Sequence, residues 1–200
     1  MIKQYARLGL ILAAFAAAAC GGLAFVYAAT EKQIAENQNK QLNESLAQLF
    51  PSADAFKDIS QDFPAAAGDT KVLSAYAATQ SGATIGVAIR ATGPSYGGPA
   101  VLLVGLGGER RISGVRVLTL TDTPGLGQNA TNPGYYVNKA KKLTFPGQFT
   151  GKSLQDAFVV KQDVDAISAS TITSRYLTAI IKAAADAGQA WVERSAPGGK

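Results

Sequence analysis

Residues Leu8 to Thr30 form an unbroken run of 23 residues without a charge, rich in Ala, Leu, Ile, Phe and Val. As a helix rising about 1.5 Å per residue it spans roughly 34 Å, enough to cross a hydrocarbon core of about 30 Å. Lys3 and Arg7 precede it, so the positive-inside rule puts the N-terminus in the cytoplasm and everything after Glu31 across the membrane. Two rivals share the pattern. One is a cleaved signal peptide; the other is a lipoprotein signal with Ala17-Ala18-Ala19-Cys20 as its lipobox. That lipobox lacks the usual Leu three residues before Cys20, and the run stays apolar beyond it. The expectation is a retained single-pass transmembrane helix over 8–30, behind a short cytoplasmic segment, 1–7.

Glu31 to Phe50 is polar and helix-favouring, with Ile34, Leu42, Leu46 and Leu49 on one side and Pro51 as a stop. A Pro-, Ala- and Gly-containing linker is expected through Gly68, completing a segment 31–68. The middle of the chain is β-rich. Val72–Ala78, Thr84–Thr92, Pro99–Leu106 and Arg111–Thr121 are rich in β-branched residues, with turns at Gln80-Ser81-Gly82, Gly93 to Gly98 and Gly107-Gly108. Connections this short suit antiparallel pairing, since parallel crossovers need a dozen or more residues. A short helix is expected over Tyr135–Lys142, a last strand over Ala157–Lys161, and then a C-terminal helix. Ile172, Tyr176, Leu177, Ile180, Ile181, Ala184, Ala187 and Trp191 recur at helical spacing in that last element. The predicted architecture is α+β: an antiparallel sheet with flanking helices over 69–194, and a flexible tail, 195–200.

Absences narrow the chemistry. The chain has no histidine, one cysteine (Cys20) and one methionine (Met1). Iron–sulfur clusters, Cys/His zinc sites, Ser-His-Asp and Cys-His nucleophilic systems are therefore excluded within it, and a haem with His, Met or Cys ligands has almost nothing to bind. No Ser or Thr lies three residues before a Lys, so a local Ser-x-x-Lys arrangement is missing too. Net charge is +5, falling to +3 beyond residue 30, and no basic block is interleaved with aromatics, so no nucleic-acid partner is expected. Carboxylate chemistry or an organic cofactor remains.

Two stretches could hold such a cofactor. Five of the eleven residues in Asp165-Ala166-Ile167-Ser168-Ala169-Ser170-Thr171-Ile172-Thr173-Ser174-Arg175 carry hydroxyls, where the last helix begins. Ser and Thr cap the free N–H groups of a first turn, and the same groups with the helix dipole favour a phosphate. An N-cap with spare hydroxyls and a phosphate site both fit. Asp122-Thr123-Pro124-Gly125-Leu126-Gly127 follows the fourth strand, and its glycines suit either a tight turn or close backbone approach to something flat. Gly93 to Gly98 has the same ambiguity. Ser81-Gly82-Ala83-Thr84 spells a tetrapeptide also found where flavin is attached, but it falls in a hairpin turn with no helix behind it.

Taken together, these pieces resemble the G subunit of Rnf-type electron-transport complexes, itself similar to the C subunit of sodium-pumping NADH:quinone reductases. The resemblance covers nearly the whole chain: the N-terminal membrane helix, the polar helix, Tyr96-Gly97-Gly98, Asp122 to Gly127, Phe145 to Phe149, and Asp165 to Ser174. The family's late motif reads roughly Asp-x-x-(Ser/Thr)-Gly-Ala-(Thr/Ser)-x-(Thr/Ser). Asp165 and Ser168 match it, Thr171 falls on the flavin-bearing position and Thr173 on the last; Ala169 stands for Gly and Ser170 for Ala. The family's Glu-Thr-Pro-Gly-Leu-Gly appears here with Asp122 in place of Glu. The resemblance implies FMN joined through its phosphate to Thr171 by a flavin transferase. It further implies Ser168, Ser170, Thr173, Thr123, Gly125, Leu126 and Gly127 as binding residues, with no metal and no catalytic residue. The implied function is electron relay within a redox-driven ion-translocating complex of the cytoplasmic (inner) membrane, with other membrane subunits as partners, the main domain extracytoplasmic or periplasmic, and no independent turnover. A quinone-reductase component of the related type, and a flavin-free module of the same fold, are the alternatives.

Overall fold

The apolar run and the polar stretch behind it form one uninterrupted helix, α1 (Ile2–Leu49). The computed structural model describes residues 2–64, 66–107 and 110–195; the expected tail beyond Ser195, and Gly108 of the expected Gly107-Gly108 turn, lie outside them. Residues 1–43 and 44–200 form separate units. In the first, α1 exposes Leu10, Phe15, Leu23 and Phe25 alike, and it is long and apolar enough to cross a membrane. Over residues 8–30 it carries no charge, and a helical stretch without a polar face belongs in a protein core or in lipid.

The second unit is α+β, as the sequence implies. Its sheet contains β1 (Ala55–Asp58), β2 (Ala66–Ala67), β3 (Thr70–Gln80), β4 (Ala83–Ser95), β5 (Gly98–Gly107) and β6 (Ile112–Thr119), followed much later by the helix α2 (Thr171–Ser195). Every pairing is antiparallel. Strands β3 to β6 form a meander in chain order, while β1 and β2 both pair with β3, whose other edge takes β4. The β3–β4 turn holds Ser81 (φ 49°) and Gly82 (φ 81°) in the left-handed region, with Gln80 paired to Ala83. Such a two-residue turn matches the natural twist of the strands, and it places Thr84 in a hairpin.

Both faces of the sheet are covered. Val87, Ile89 and Ala91 of β4 and Leu102, Val104 and Leu106 of β5 belong to one buried cluster with Leu177, Ile180, Ile181 and Ala184 of α2. Each large aliphatic side chain buried there stabilises the fold by about 1.5–3 kcal/mol. On the opposite face, Gly86, Gly105 and Gly114 leave a trough for the end of α1. A Cβ on Gly86 would strike the Phe50 ring and the Leu106 carbonyl, and one on Gly114 would strike Leu49. Burial on two sides explains why β4 and β5 read as continuous apolar runs rather than alternating ones.

Three expectations fail for local reasons. Tyr135–Lys142 is not helical. Asn138 bridges to Leu143, its side chain accepts from the Lys141 N–H at 3.0 Å, and Lys142 (φ 51°) turns the chain back. Ala157–Lys161 is not a strand either. Phe158 (φ 53°) and Lys161 (φ 72°) are left-handed, and Asp163 takes the N–H groups of Phe158 (3.0 Å) and Val159 (2.6 Å) that a strand would give to a neighbour. Residues 51–68, expected as linker, hold β1 and β2 on the outer edge of β3. The short Ala-Phe-Lys-Asp strand is mostly exposed and carries no alternating signal.

The trough makes a stability prediction. Gly86→Ala in the detergent-solubilised full chain should cost about 1–3 kcal/mol, the usual penalty for overpacking, measured as a lowered urea midpoint. A midpoint equal to wild type would mean that Phe50 does not lie against β4.

Candidate functional site

Three chain segments far apart in sequence converge on one buried carboxylate. Asp122, 3% exposed, follows β6. One of its oxygens accepts from the Gly97 N–H at 2.8 Å, in the β4–β5 turn. The other accepts from the Ser95 hydroxyl at 2.9 Å and from the Thr173 hydroxyl in the first turn of α2. Burial works against the charge, but hydrogen bonds from Thr173, Gly97, Ser95 and the Tyr96 N–H outweigh it and hold the carboxyl below the usual carboxylate range. A carboxylate also sits favourably beside the positive end of a helix. Gly127 and Gly97 follow from this packing. A Cβ on the former would collide with Asp122 and Thr173, and one on the latter with the backbone of Thr121 and Asp122.

Between these segments opens a cleft of about 420 Å³, lined by Tyr96, Asp122, Thr123, Leu126, Gly127 and residues Ala169 to Thr173. That volume lies within the roughly 300–1,000 Å³ usual for small-molecule sites. Thr171 is the first residue of α2 and half-buried. The Ser170 carbonyl accepts from the Ser174 N–H at 3.0 Å, which makes Ser170 the N-cap. The N–H groups of Thr171, Ile172 and Thr173 therefore lack intrahelical acceptors and border the cleft. The Ser174 hydroxyl ties the approach to the helix: it accepts from the Ile167 N–H at 3.0 Å and donates to the Ser170 carbonyl at 2.9 Å.

The segment leading into α2 is held from outside. Gln148 grips the Asp165 backbone at both ends, accepting from its N–H at 2.7 Å and donating to its carbonyl at 3.0 Å. Asn138 donates to the Asp165 carboxylate at 3.0 Å, and the Ser168 N–H donates to the Tyr135 hydroxyl at 3.1 Å. Across the cleft, Asn129 donates to the Gly125 carbonyl at 2.8 Å, closing the turn that presents Leu126.

Of the residues anticipated from sequence, Thr171, Ser170, Thr173, Thr123, Leu126 and Gly127 line the cleft together, whereas Ser168 and Gly125 stand outside its lining. Thr84 lies in its hairpin and takes no part in it. Tyr96, Asp122, Ala169 and Ile172 line the cleft without having been singled out as binding residues, though the Tyr96-Gly97-Gly98 and Asp122 to Gly127 motifs contain two of them. Ile172 and Tyr176 also depart from the buried stripe expected of α2: both are exposed, and Thr173, Ser174 and Thr178 are buried in their stead. The reason is polar. Thr173 donates to Asp122 and Thr178 to the Ser174 carbonyl, so the inner face of the first turns is hydroxylic and Ile172 turns to the cleft.

Chemically the cleft offers backbone donors at a helix start, the half-buried Thr171 beside them and apolar flanks. No cluster of potential metal ligands occurs among the described residues. This suits holding an anionic, partly flat molecule better than acid–base catalysis.

Two outcomes follow from this geometry. Ala169 has a φ of 58°, a conformation that costs an L-residue about 1–2 kcal/mol. Ala169→Gly should therefore raise stability by about 0.5–1 kcal/mol after the extra unfolded-chain entropy of glycine, read as a higher urea midpoint. For Asp122, whose folded pKa is depressed, the stabilisation is complete above its unfolded pKa of about 3.9. It is lost as pH falls through the lower folded value. Asp122→Asn should cost about 1–3 kcal/mol at pH 6, with the gap to wild type closing as unfolding is measured at successively lower pH below 4.

The chain is similar to known proteins over most of its length. Residues 1–49 match the family model described as RnfG N-terminal region, and residues 95–186 match the FMN-binding domain. The G subunit of the ion-translocating oxidoreductase complex of Vibrio cholerae is 32% identical over 198 residues, covering 93% of this chain and 91% of its own length. The protein of the same name from Cereibacter sphaeroides is 33% identical over 181 residues, covering 86% of this chain and 79% of its own, and that from Vibrio vulnificus 30% over 195 residues, with 92% and 87% covered. The cleft between β6 and α2 falls inside the FMN-binding match, and the chain belongs to the G-subunit family of ion-translocating oxidoreductase complexes.

Proposed function

We propose that this chain relays electrons within an ion-translocating oxidoreductase complex through FMN joined by a phosphoester bond to Thr171. The observation that carries the reading is the placement of the Thr171 hydroxyl. It stands at the first position of a 25-residue helix, half-buried on a cleft inside the FMN-binding domain, beside the unpaired N–H groups of the first turn. Those groups would take the charge of a phosphate diester. Thr123, Leu126 and Gly127 would lie along the ring. Ser170 caps the helix, and Thr173, bound to Asp122, fixes the first turn against the opposite wall. When bound, FMN supplies one- and two-electron transfer, and the protein's part is to hold and tune it.

In this reading α1 anchors the chain as a single membrane pass, with Lys3 and Arg7 on the cytoplasmic side and the domain on the other face of the inner membrane. The covalent bond keeps the cofactor from diffusing away there. The partners are a flavin transferase during maturation and the other membrane subunits of the complex. The chain has no soluble substrate of its own.

The test is denaturing electrophoresis of full-length protein made with its transferase. A flavin-fluorescent band is expected, lost in Thr171→Val and kept in Thr84→Val. The tryptic peptide from Gln162 to Arg175 should be heavier by FMN less one water, with fragment ions placing the addition on Thr171. A colourless wild-type band, or flavin on another residue, overturns the assignment.

A further inference from the structure

Asp122 is a buried anion without a cation. Its four donors are two hydroxyls and two backbone N–H groups, and no Lys or Arg stands within ion-pair distance among the described residues. The Gly97 and Tyr96 N–H groups can only donate, so the arrangement suits the ionised form. The residue is 3% exposed, yet it forms part of the cleft wall and is joined through Thr173 to the helical turn that carries Thr171. Hydrogen bonds solvate this charge but do not cancel it, and in a low-dielectric wall its field reaches into the cleft with little screening.

We infer that Asp122, besides tying the site together, acts as a fixed negative charge that lowers the reduction potential of the flavin held in this cleft. The inference rests on the proposed FMN site. Reduction adds electrons to the bound ring system, and a neighbouring negative charge opposes that addition. The direction is therefore set: the charge makes the bound flavin harder to reduce and a stronger donor once reduced. Asparagine is close to isosteric and retains a carbonyl oxygen for the Gly97 N–H, so Asp122→Asn removes the charge while leaving the wall in place.

The experiment is a potentiometric titration, followed by flavin absorbance, of full-length protein co-produced with its transferase. Wild type, Asp122→Asn and Asp186→Asn are compared at equal flavin per chain; Asp186 is exposed and paired with Lys182 at 2.6 Å. Asp122→Asn should shift the midpoint positive, and the shift should persist in high salt because the charge is buried. Asp186→Asn should leave it at the wild-type value. Should Asp122→Asn fail to accumulate folded, Asp122→Glu and Asp122→Gln repeat the comparison with one more methylene, and the midpoint should be higher in the Gln variant. Equal midpoints with flavin bound would falsify the tuning role alone. A wild-type chain without flavin would remove the cofactor site and this inference together.

Discussion

The contact between Asp122 and Thr173 joins residues 51 positions apart, and the rest of the site is arranged around it. Taking a carboxylate out of water costs several kcal/mol unless the lost hydration is replaced. Here the replacement comes from two segments at once, so the β4–β5 turn and the start of α2 must both be in place around the chain after β6 for the charge to be buried. The lack of side chains at Gly97 and Gly127 is the steric counterpart of that demand. A polar knot of this kind is also directional. Swapping it for an apolar contact would keep the burial but lose the single rotation of α2 that brings Thr171 to the cleft.

Between β6 and α2 the chain runs for about fifty residues with almost no regular structure, yet it is not loose. Phe145 and Phe149 meet edge to face with centroids 5.6 Å apart, and Phe149 stacks on Phe158 at 6.1 Å. This aromatic ladder supplies the core that strands and helices supply elsewhere. Side-chain hydrogen bonds replace the missing ladders: Gln148 on Asp165, Asp163 on the turn after Phe158, Asn138 on its own turn. The cleft is thus formed by irregular backbone held rigid against a sheet and a helix, the arrangement on which binding residues are commonly displayed.

The sheet was legible because β-branched runs and short Gly-rich turns are local signals, and the long apolar helix because its signal is compositional. The cleft was legible in part. Thr171, Thr123, Leu126 and Gly127 sit in short motifs that can be read in one glance along the chain. Tyr135 and Asn138, which position the approach to α2, sit in no such motif, Gln148 lies in the Phe145 to Phe149 stretch without a role that can be read from it, and their partners lie 17 to 33 residues away. Ile172 and Tyr176 were misplaced because helical spacing reports an apolar stripe without saying whether buried hydroxyls have displaced it. The failed strand at Ala157–Lys161 has a similar origin: an apolar run looks extended until a carboxylate four residues on takes its N–H groups.

The end of α1 does more than terminate a long apolar helix. Phe50 and Leu49 lie in the glycine trough of the sheet, and Leu46 behind them is 1% exposed. Anyone dissecting the chain would be drawn to Pro51, where the helix stops and a loop begins. A fragment starting there would bare the back of β4 and β5 to water, and an uncovered apolar sheet face invites self-association. The natural excision point lies about two turns earlier, near Glu44, so what looks like a tether contributes its last coils to the body it carries.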